Sequence, residues 1–464
     1  MGPRPSNSQT PVAVVGTGLA GLVTAYLLHN DPLQRFHVTL FEKQDQISLS
    51  AASVTLEDSH GRRDIVDVPV RAFAPGYYRN LKAMFDFFRV PYEAQKFLYA
   101  FSSTSPRKGD TPPYYIHSSN LHRWPSRPEG TSFFSMLGQI VYLGLCLLWL
   151  TLCCALVTPQ RDESLEAYLQ RTRIPEGFTK HYLLPLISSV ATCSHQELLR
   201  FPAQDFVTYR NQILGSQHFC LANGIQDVQQ KLIAGIDVRL ATEVGKVTPT
   251  DGQVRLHWRT RGKDGTEKSG SRDFANVVIA TSPDVVGWLV PHLGDIMAKM
   301  PTTQVKTCVL QPTGARAKLS VVKNVSNVPE IRTERRANRA VTGTHLIALK
   351  THTESPAWTE AHQLSPSGAC VAVNAPDEED RSTAVLARSQ FVRTLRTVES
   401  RGLTNRLFGE MVQKMGEPVE PGWTNGTDGI WLAGSWCWDG MVLLEGCVVS
   451  AARIATQLGV EIPW

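Results

Sequence analysis

Val12-Ala13-Val14-Val15-Gly16-Thr17-Gly18-Leu19-Ala20-Gly21 is the stretch that decides the fold. Its first four residues are continuously apolar, which suits a parallel strand covered on both faces. The glycines follow with Gly-x-Gly-x-x-Gly spacing, and residues 19–29 continue as a helix of small and apolar side chains. A polar loop at 30–35 leads into His37–Phe41, an alternating, β-branched strand that ends at Glu42. The whole is a βαβ unit of roughly 30 residues. Each part has a physical reason. Gly16 permits the tight turn, Gly18 leaves the backbone open to a pyrophosphate, and Gly21 lets helix and strand pack closely. The helix N-terminus offers free N–H groups and partial positive charge to the phosphates. Ala20 belongs to the same predicted contact set. Glu42, with Lys43 beside it, stands where a carboxylate accepts hydrogen bonds from ribose hydroxyls and disfavours a 2′-phosphate. A glycine-rich turn that binds nothing is the alternative, and the flanking strands and acid argue against it.

Beyond this unit, the chain has 464 residues, room for two or three domains at about 100–200 residues each. With 42% hydrophobic and 19% charged residues it can bury a large core, so wholesale disorder is excluded. The net charge of +5 is small and no dense basic run exists; Arg335–Arg336 and Arg259–Lys268 read as solvated loops. Nucleic-acid binding is therefore not expected. The 9 cysteines include no Cys-x-x-Cys pair and no zinc-type spacing, so we expect no metal site and reduced thiols in an intracellular protein. No secretory signal is visible.

Residues 60–130 mix short elements with Pro and Gly, and 162–235 recur with helical spacing. Strand-like alternation at 237–260 carries a hairpin signal at Asp251-Gly252, and 261–272 reads as a charged loop. Val277–Thr281 is a second buried-strand pattern, stopped by Pro283. Strands and a long loop fill 305–350, and helical spacing returns near 380–400. The C-terminus predicts a strand at Ile430–Ala433, a turn at Gly434-Ser435 and a helix over about 445–458.

The last of these stretches, Gly429-Ile-Trp-Leu-Ala-Gly434-Ser435 through Glu445-Gly446-Cys447, resembles the closing motif of the flavin amine oxidase and phytoene desaturase superfamily. Val66-Asp67 through Phe85, Tyr182 through Ala203 and Val277–Thr281 resemble a subgroup of predicted NAD/FAD-binding, amine-oxidase-like proteins. The resemblance implies an α/β fold: a discontinuous, Rossmann-like FAD-binding domain with an inserted α+β substrate domain. It implies FAD as cofactor, with Gly434, Ser435, Glu445 and Gly446 at the ring and ribityl end. Thr281 and Val244 complete the cofactor-binding set. The implied division is 1–75, 236–300 and 426–464 for the FAD-binding domain, 76–235 for a helical substrate part and 301–425 for its sheet. There are departures from the family pattern. Ile47-Ser48-Leu49-Ser50 replaces the usual glycine pair, and Val442-Leu443-Leu444 stands where close relatives carry His-Glu. Met441 replaces an aromatic of the amine cage, which counts against a simple primary amine.

The ring of a flavin takes the hydride, and the protein supplies position and electrostatics. Lys306 resembles a strand lysine that lies near the flavin in amine oxidases; an exposed strand lysine is the alternative. Trp438, with Trp436, is expected to wall a substrate pocket or to pack in the core. Cys437 is weighed as a covalent tether, and His195 is read as structural.

Residues 131–158 carry no charge and are long enough for a membrane span. Lying between two halves of one substrate domain, they fit a shallow monotopic insertion or a greasy helix that admits substrate; a buried helix and a true span are the alternatives. The expected partners are thus a lipophilic small molecule and a membrane surface, through a single hydrophobic insertion. The expected function is FAD-dependent oxidation, desaturation or double-bond isomerisation. The alternatives are an amine oxidase for bulky amines and a flavin-free, prenyl-binding escort protein.

Overall fold

The computed structural model describes residues 9–49, 53–57, 63–69, 71–105, 109–119, 125–128, 130–311, 320–321, 345–364, 369–374, 385–408 and 422–464. β1 (Thr10–Val15) sits at the centre of a five-stranded parallel sheet. Its neighbours are β2 (Phe36–Phe41) and Asn276–Ile279; Asp237–Arg239 and Ile430–Leu432 form the edges. Four separated stretches of chain thus build one sheet. The uninterrupted apolar run of β1 is explained by its two covered faces. Val12 and Val14 pack with α1 (Leu19–His29) and the closing helix Leu444–Gln457. Ala13 and Val15 pack with Val244, Val254 and Phe274 of a three-stranded antiparallel sheet on the other side.

That antiparallel sheet contains the expected hairpin, with its turn at Asp251-Gly252. It also corrects one expectation. Only Gly262–Thr266 turns; Glu267–Phe274 is a strand paired along its length with Gln253–Arg261. Its charges are the exposed row of a sheet with one wet face, so a charged composition concealed a strand.

A second, eight-stranded sheet forms the wall opposite the glycine turn. Its order begins Val385–Thr394, Thr302–Leu310, Cys370–Val373, Trp358–Leu364, His345–His352 and Phe97–Ser105. The helical spacing read near 380–400 is overturned here. Val385–Thr394 is a strand paired antiparallel with Thr302–Leu310, and the helix begins only at Val398. Both faces of this strand carry polar groups, so no apolar alternation marked it; cross-strand pairing set its conformation. Much of the expected loop in 305–350 lies outside the described residues.

α2 (Arg79–Phe87) and α3 (Phe133–Leu156) precede a set of shorter helices that pack under this sheet. All nine cysteines are free. α3 is long and apolar enough to cross a membrane. His195 ties the helical layer to the sheet: its N–H donates to Ala357 O, and Nε2 lies 2.8 Å from Thr359 Oγ1. Burial draws its pKa down to about 4. The imidazole is therefore neutral in the fold. Its contribution to stability is complete above about pH 6.5 and is lost as pH falls toward 4, about 3 kcal/mol in all. Urea unfolding at pH 7, 5 and 4 should show the wild type losing that much more stability than His195→Gln. Parallel losses in the two proteins would remove His195 as the cause.

Candidate dinucleotide and substrate site

The glycine turn has the geometry its spacing implies. Gly16 takes φ +98°, and its N–H donates to Phe41 O at 2.8 Å. A Cβ on Gly21 would lie 2.0 Å from Gly16 O, so only glycine lets α1 approach β1 here. A Cβ on Gly18 would meet nothing within 4 Å, because Gly18 borders a cavity. Gly18 is also the N-cap of α1 and makes no side-chain capping bond. The first turn of α1 presents its N–H groups at the positive end of the helix dipole, that of Ala20 toward the Cys447 thiol.

The cavity has a volume of about 700 Å³. One end is formed by Gly18, Ala20, Thr281, Gly434 and Ser435, drawn from three distant parts of the chain. The start of the closing helix, Leu443, Leu444 and Cys447, also borders it, and this helix too lacks a side-chain N-cap bond. Two helix N-termini therefore meet one cavity. The other walls are largely apolar or aromatic, including Tyr78, Tyr99, Val371, Val373 and Phe391. Burial raises the Tyr78 and Tyr99 phenol pKa values, so both hydroxyls stay protonated.

Two guanidiniums face this space. Arg71 donates through Nη2 to Leu49 O at 2.9 Å, while its buried Nη1 has no partner among the described residues. Arg393 borders the cavity from the strand Val385–Thr394, and among the described residues no carboxylate pairs with it. Burial lowers the pKa of both, with Asp67 opposing this at Arg71 and Tyr78 opposing it at Arg393. A guanidinium keeps its proton in any case. Among the described residues the cavity lining holds no Asp or Glu. Thr281 Oγ1 and His218 Nδ1 of the lining are likewise buried without partners among the described residues. Orphaned donors, helix N-termini and an open Gly18 together fit a dinucleotide carrying a pyrophosphate.

The expected residues divide into three groups. Gly18, Ala20, Thr281, Gly434 and Ser435 line the cavity. Gly16, Gly21 and Gly446 shape its walls; a Cβ on Gly446 would run into Trp438 and Ser435 O. The others do not line it. Glu42 is buried behind the turn, where Oε2 accepts from Thr17 N at 3.1 Å and Oε1 from Gln44 N at 2.9 Å. Thr17 Oγ1 also donates to Glu42 and accepts from Ser48 N at 2.9 Å. Glu42 thus braces the turn against the Ser48-Leu49 segment, which itself borders the cavity. Lys43 is exposed, and Val244 lies in the core behind β2. The Glu445 carboxylate caps α2, accepting from Asn80 N at 2.8 Å and Leu81 N at 3.0 Å. Burial raises its pKa, against those hydrogen bonds.

Lys306, on the strand Thr302–Leu310, does not line the cavity. It is not among the lining residues, although Gln390, its partner on the neighbouring strand, is. Of the cations on these two strands, Arg393, on the neighbouring strand, borders the cavity. Trp436 lines the cavity and donates to Thr281 O at 3.1 Å. Trp438 packs behind it, donating to Met441 O at 3.0 Å. Arg396 fixes this loop, donating to Trp436 O at 3.0 Å and Trp438 O at 2.7 Å. Cys437 is fully buried outside the cavity lining, with its thiol pKa raised by burial. The cysteine that does border the cavity is Cys447, whose thiol is pushed up to about 12 by burial.

The parallel sheet, the glycine turn and the cavity at its end define a Rossmann-like dinucleotide-binding fold. Residues 14–88 match the family described as the NAD(P)-binding Rossmann-like domain. The whole chain is similar in fold to the crystal structure of the CLA-producing fatty acid isomerase from P. acnes. The TM-score is 0.58 at 13% identity, covering 98% of this chain and 99% of that one. No curated protein matches the sequence significantly. The Rossmann-like fold that the resemblance implied is thus borne out.

Proposed function

We propose that this protein is an FAD-dependent oxidoreductase that oxidises, desaturates or isomerises a lipophilic small molecule bearing an acid group. One observation carries the reading: one cavity joins the glycine turn to an apolar, aromatic wall that holds an arginine with no carboxylate partner among the described residues. Bound FAD supplies the electron-accepting ring. The chain supplies the rest. Gly18 and the N-terminus of α1 hold the phosphates. Gly434, Ser435 and the first turn of the closing helix border the ring. The strands Cys370–Val373 and Val385–Thr394 exclude water from the substrate chain. Arg393 receives its acid group. One protein of similar fold is a CLA-producing fatty acid isomerase, and a fatty acid is a substrate of this class.

The lining argues against the amine alternative. An ammonium would meet two arginines and, among the described residues, no carboxylate. The flavin-free escort alternative is decided by colour. The purified protein, kept in mild detergent, is expected to absorb near about 375 and about 450 nm, and acid precipitation is expected to release that colour. Colour held in the pellet would indicate a covalent link and point first to Cys447, the cysteine at the cavity. A colourless protein that stays so after FAD is added would sink the enzyme reading and favour the escort one. Turnover of a bulky amine with peroxide release would restore the amine oxidase.

A further inference from the structure

We propose that α3 docks lengthwise into one leaflet of a lipid bilayer, as an in-plane anchor. Its two faces differ in what they touch. Leu143, Cys146, Leu150, Cys153 and Cys154 recur three or four residues apart and are buried against the protein. The opposite stripe projects outward along most of the helix: Phe134 is 82% exposed, Leu145 63%, Leu148 57% and Leu156 77%. Such a contiguous apolar surface marks a partner.

Three polar side chains of the helix point to hydrocarbon as that partner. Gln139 donates to the Tyr182 hydroxyl. Trp149 is 47% exposed, yet its indole N–H turns inward to Thr172 O at 2.9 Å. Thr151 donates to Leu147 O at 2.7 Å and accepts from Arg210 at 3.2 Å. Each of these side chains spends its polar atom on the protein and leaves carbon outside. A lipid interior demands this because it offers no hydrogen bonds; water and a protein surface do not. Just beyond the C-terminal end, Arg161 lies 3.8 Å from Asp162, and Arg171 lies 2.6 Å from Glu163. The docking is therefore apolar and does not depend on anionic headgroups. The bonds at Gln139, Trp149 and Thr151, with Asn211 donating to Cys154 O at 2.9 Å, hold the helix sideways along its length. It cannot cross the bilayer without tearing them.

Docking also places the cavity. Tyr182, held by Gln139, is followed one and two turns later by Leu186 and Val190, which line it. A substrate dissolved in the leaflet is thus brought beside that wall. This consequence rests on the proposed function; the docking does not.

The test is co-flotation of the full chain with vesicles of phosphatidylcholine alone, with and without 1 M salt. The wild type is expected to float in both conditions. The double substitution Leu145→Gln, Leu148→Gln is expected to weaken binding about tenfold or more, with circular dichroism and thermal midpoint unchanged because both sites are exposed. Three results would overturn the proposal. One is no flotation, or flotation only with added anionic lipid and lost in salt. Another is a defined dimer in detergent-free solution that the double variant dissolves, which would make a second copy the occupant. The third is protection of only one flank, 125–131 or 158–162, from protease outside sealed vesicles, which would mean a span.

Discussion

Gly18→Asp is expected to give a folded protein that no longer holds FAD. Thermal stability should match the wild type or exceed it slightly, while FAD affinity falls about a thousandfold, roughly 4 kcal/mol. The two halves of this result have separate causes. A Cβ at Gly18 meets nothing within 4 Å, so the protein has room for a side chain. Gly18 is also the N-cap of α1, in extended backbone, where aspartate is among the best residues. The same carboxylate would occupy the pyrophosphate's place with the same sign of charge. Gly21→Ala gives the contrast. Its Cβ would fall 2.0 Å from Gly16 O, so α1 must move off β1, and stability and FAD binding should fail together. The measurements are FAD content, FAD titration and thermal unfolding of both variants. FAD retained by Gly18→Asp would show that the turn does not hold the cofactor.

Residues 10–42 were legible because every requirement there is local. A strand covered on both faces must be apolar throughout, and a tight turn beside a helix must be glycine. The sheet strand Val385–Thr394 was not legible, because its conformation is imposed by Thr302–Leu310, some eighty residues earlier. With Arg388 and Gln390 among its residues, no single face stood out as apolar. Glu267–Phe274 was hidden in the same way by charges on a wet face.

The site divides along similar lines. The glycine positions could be read, since backbone approach depends on the residue itself. The acids were harder, because a carboxylate's role depends on which donor is nearest. Glu42 and Glu445 occupy the expected places in the chain, yet both satisfy backbone N–H groups of the scaffold. In Glu445 the acid that stands first in the closing helix serves the N-terminus of α2. The cation was missed by one strand. Lys306 lies on Thr302–Leu310 and does not line the cavity; Arg393, on the paired strand, does. Strand pairing, which sequence does not print, separates them.

Arg393→Met should therefore have the largest effect on catalysis with the least effect on the fold. In the free protein this guanidinium is desolvated without a carboxylate partner among the described residues, an arrangement that costs stability. Methionine fills much of the same space without charge, so the variant's thermal midpoint should hold or rise. The arginine is then explained by what it binds. A carboxylate on a lipophilic chain would find in it a charge-assisted, two-pronged donor in a site with little water. Loss of that contact is expected to lower affinity for a long-chain fatty acid about a hundredfold, while its methyl ester binds almost as before. Arg393→Lys should recover part of the loss, since it keeps the charge but not the fork. Titration of both ligands into the flavin-loaded variants decides the matter. Equal losses for acid and ester would show that Arg393 does not read substrate charge. Loss of the flavin itself would assign the arginine to the cofactor, and the substrate's acid group would then have Arg71 as its remaining cation in the cavity.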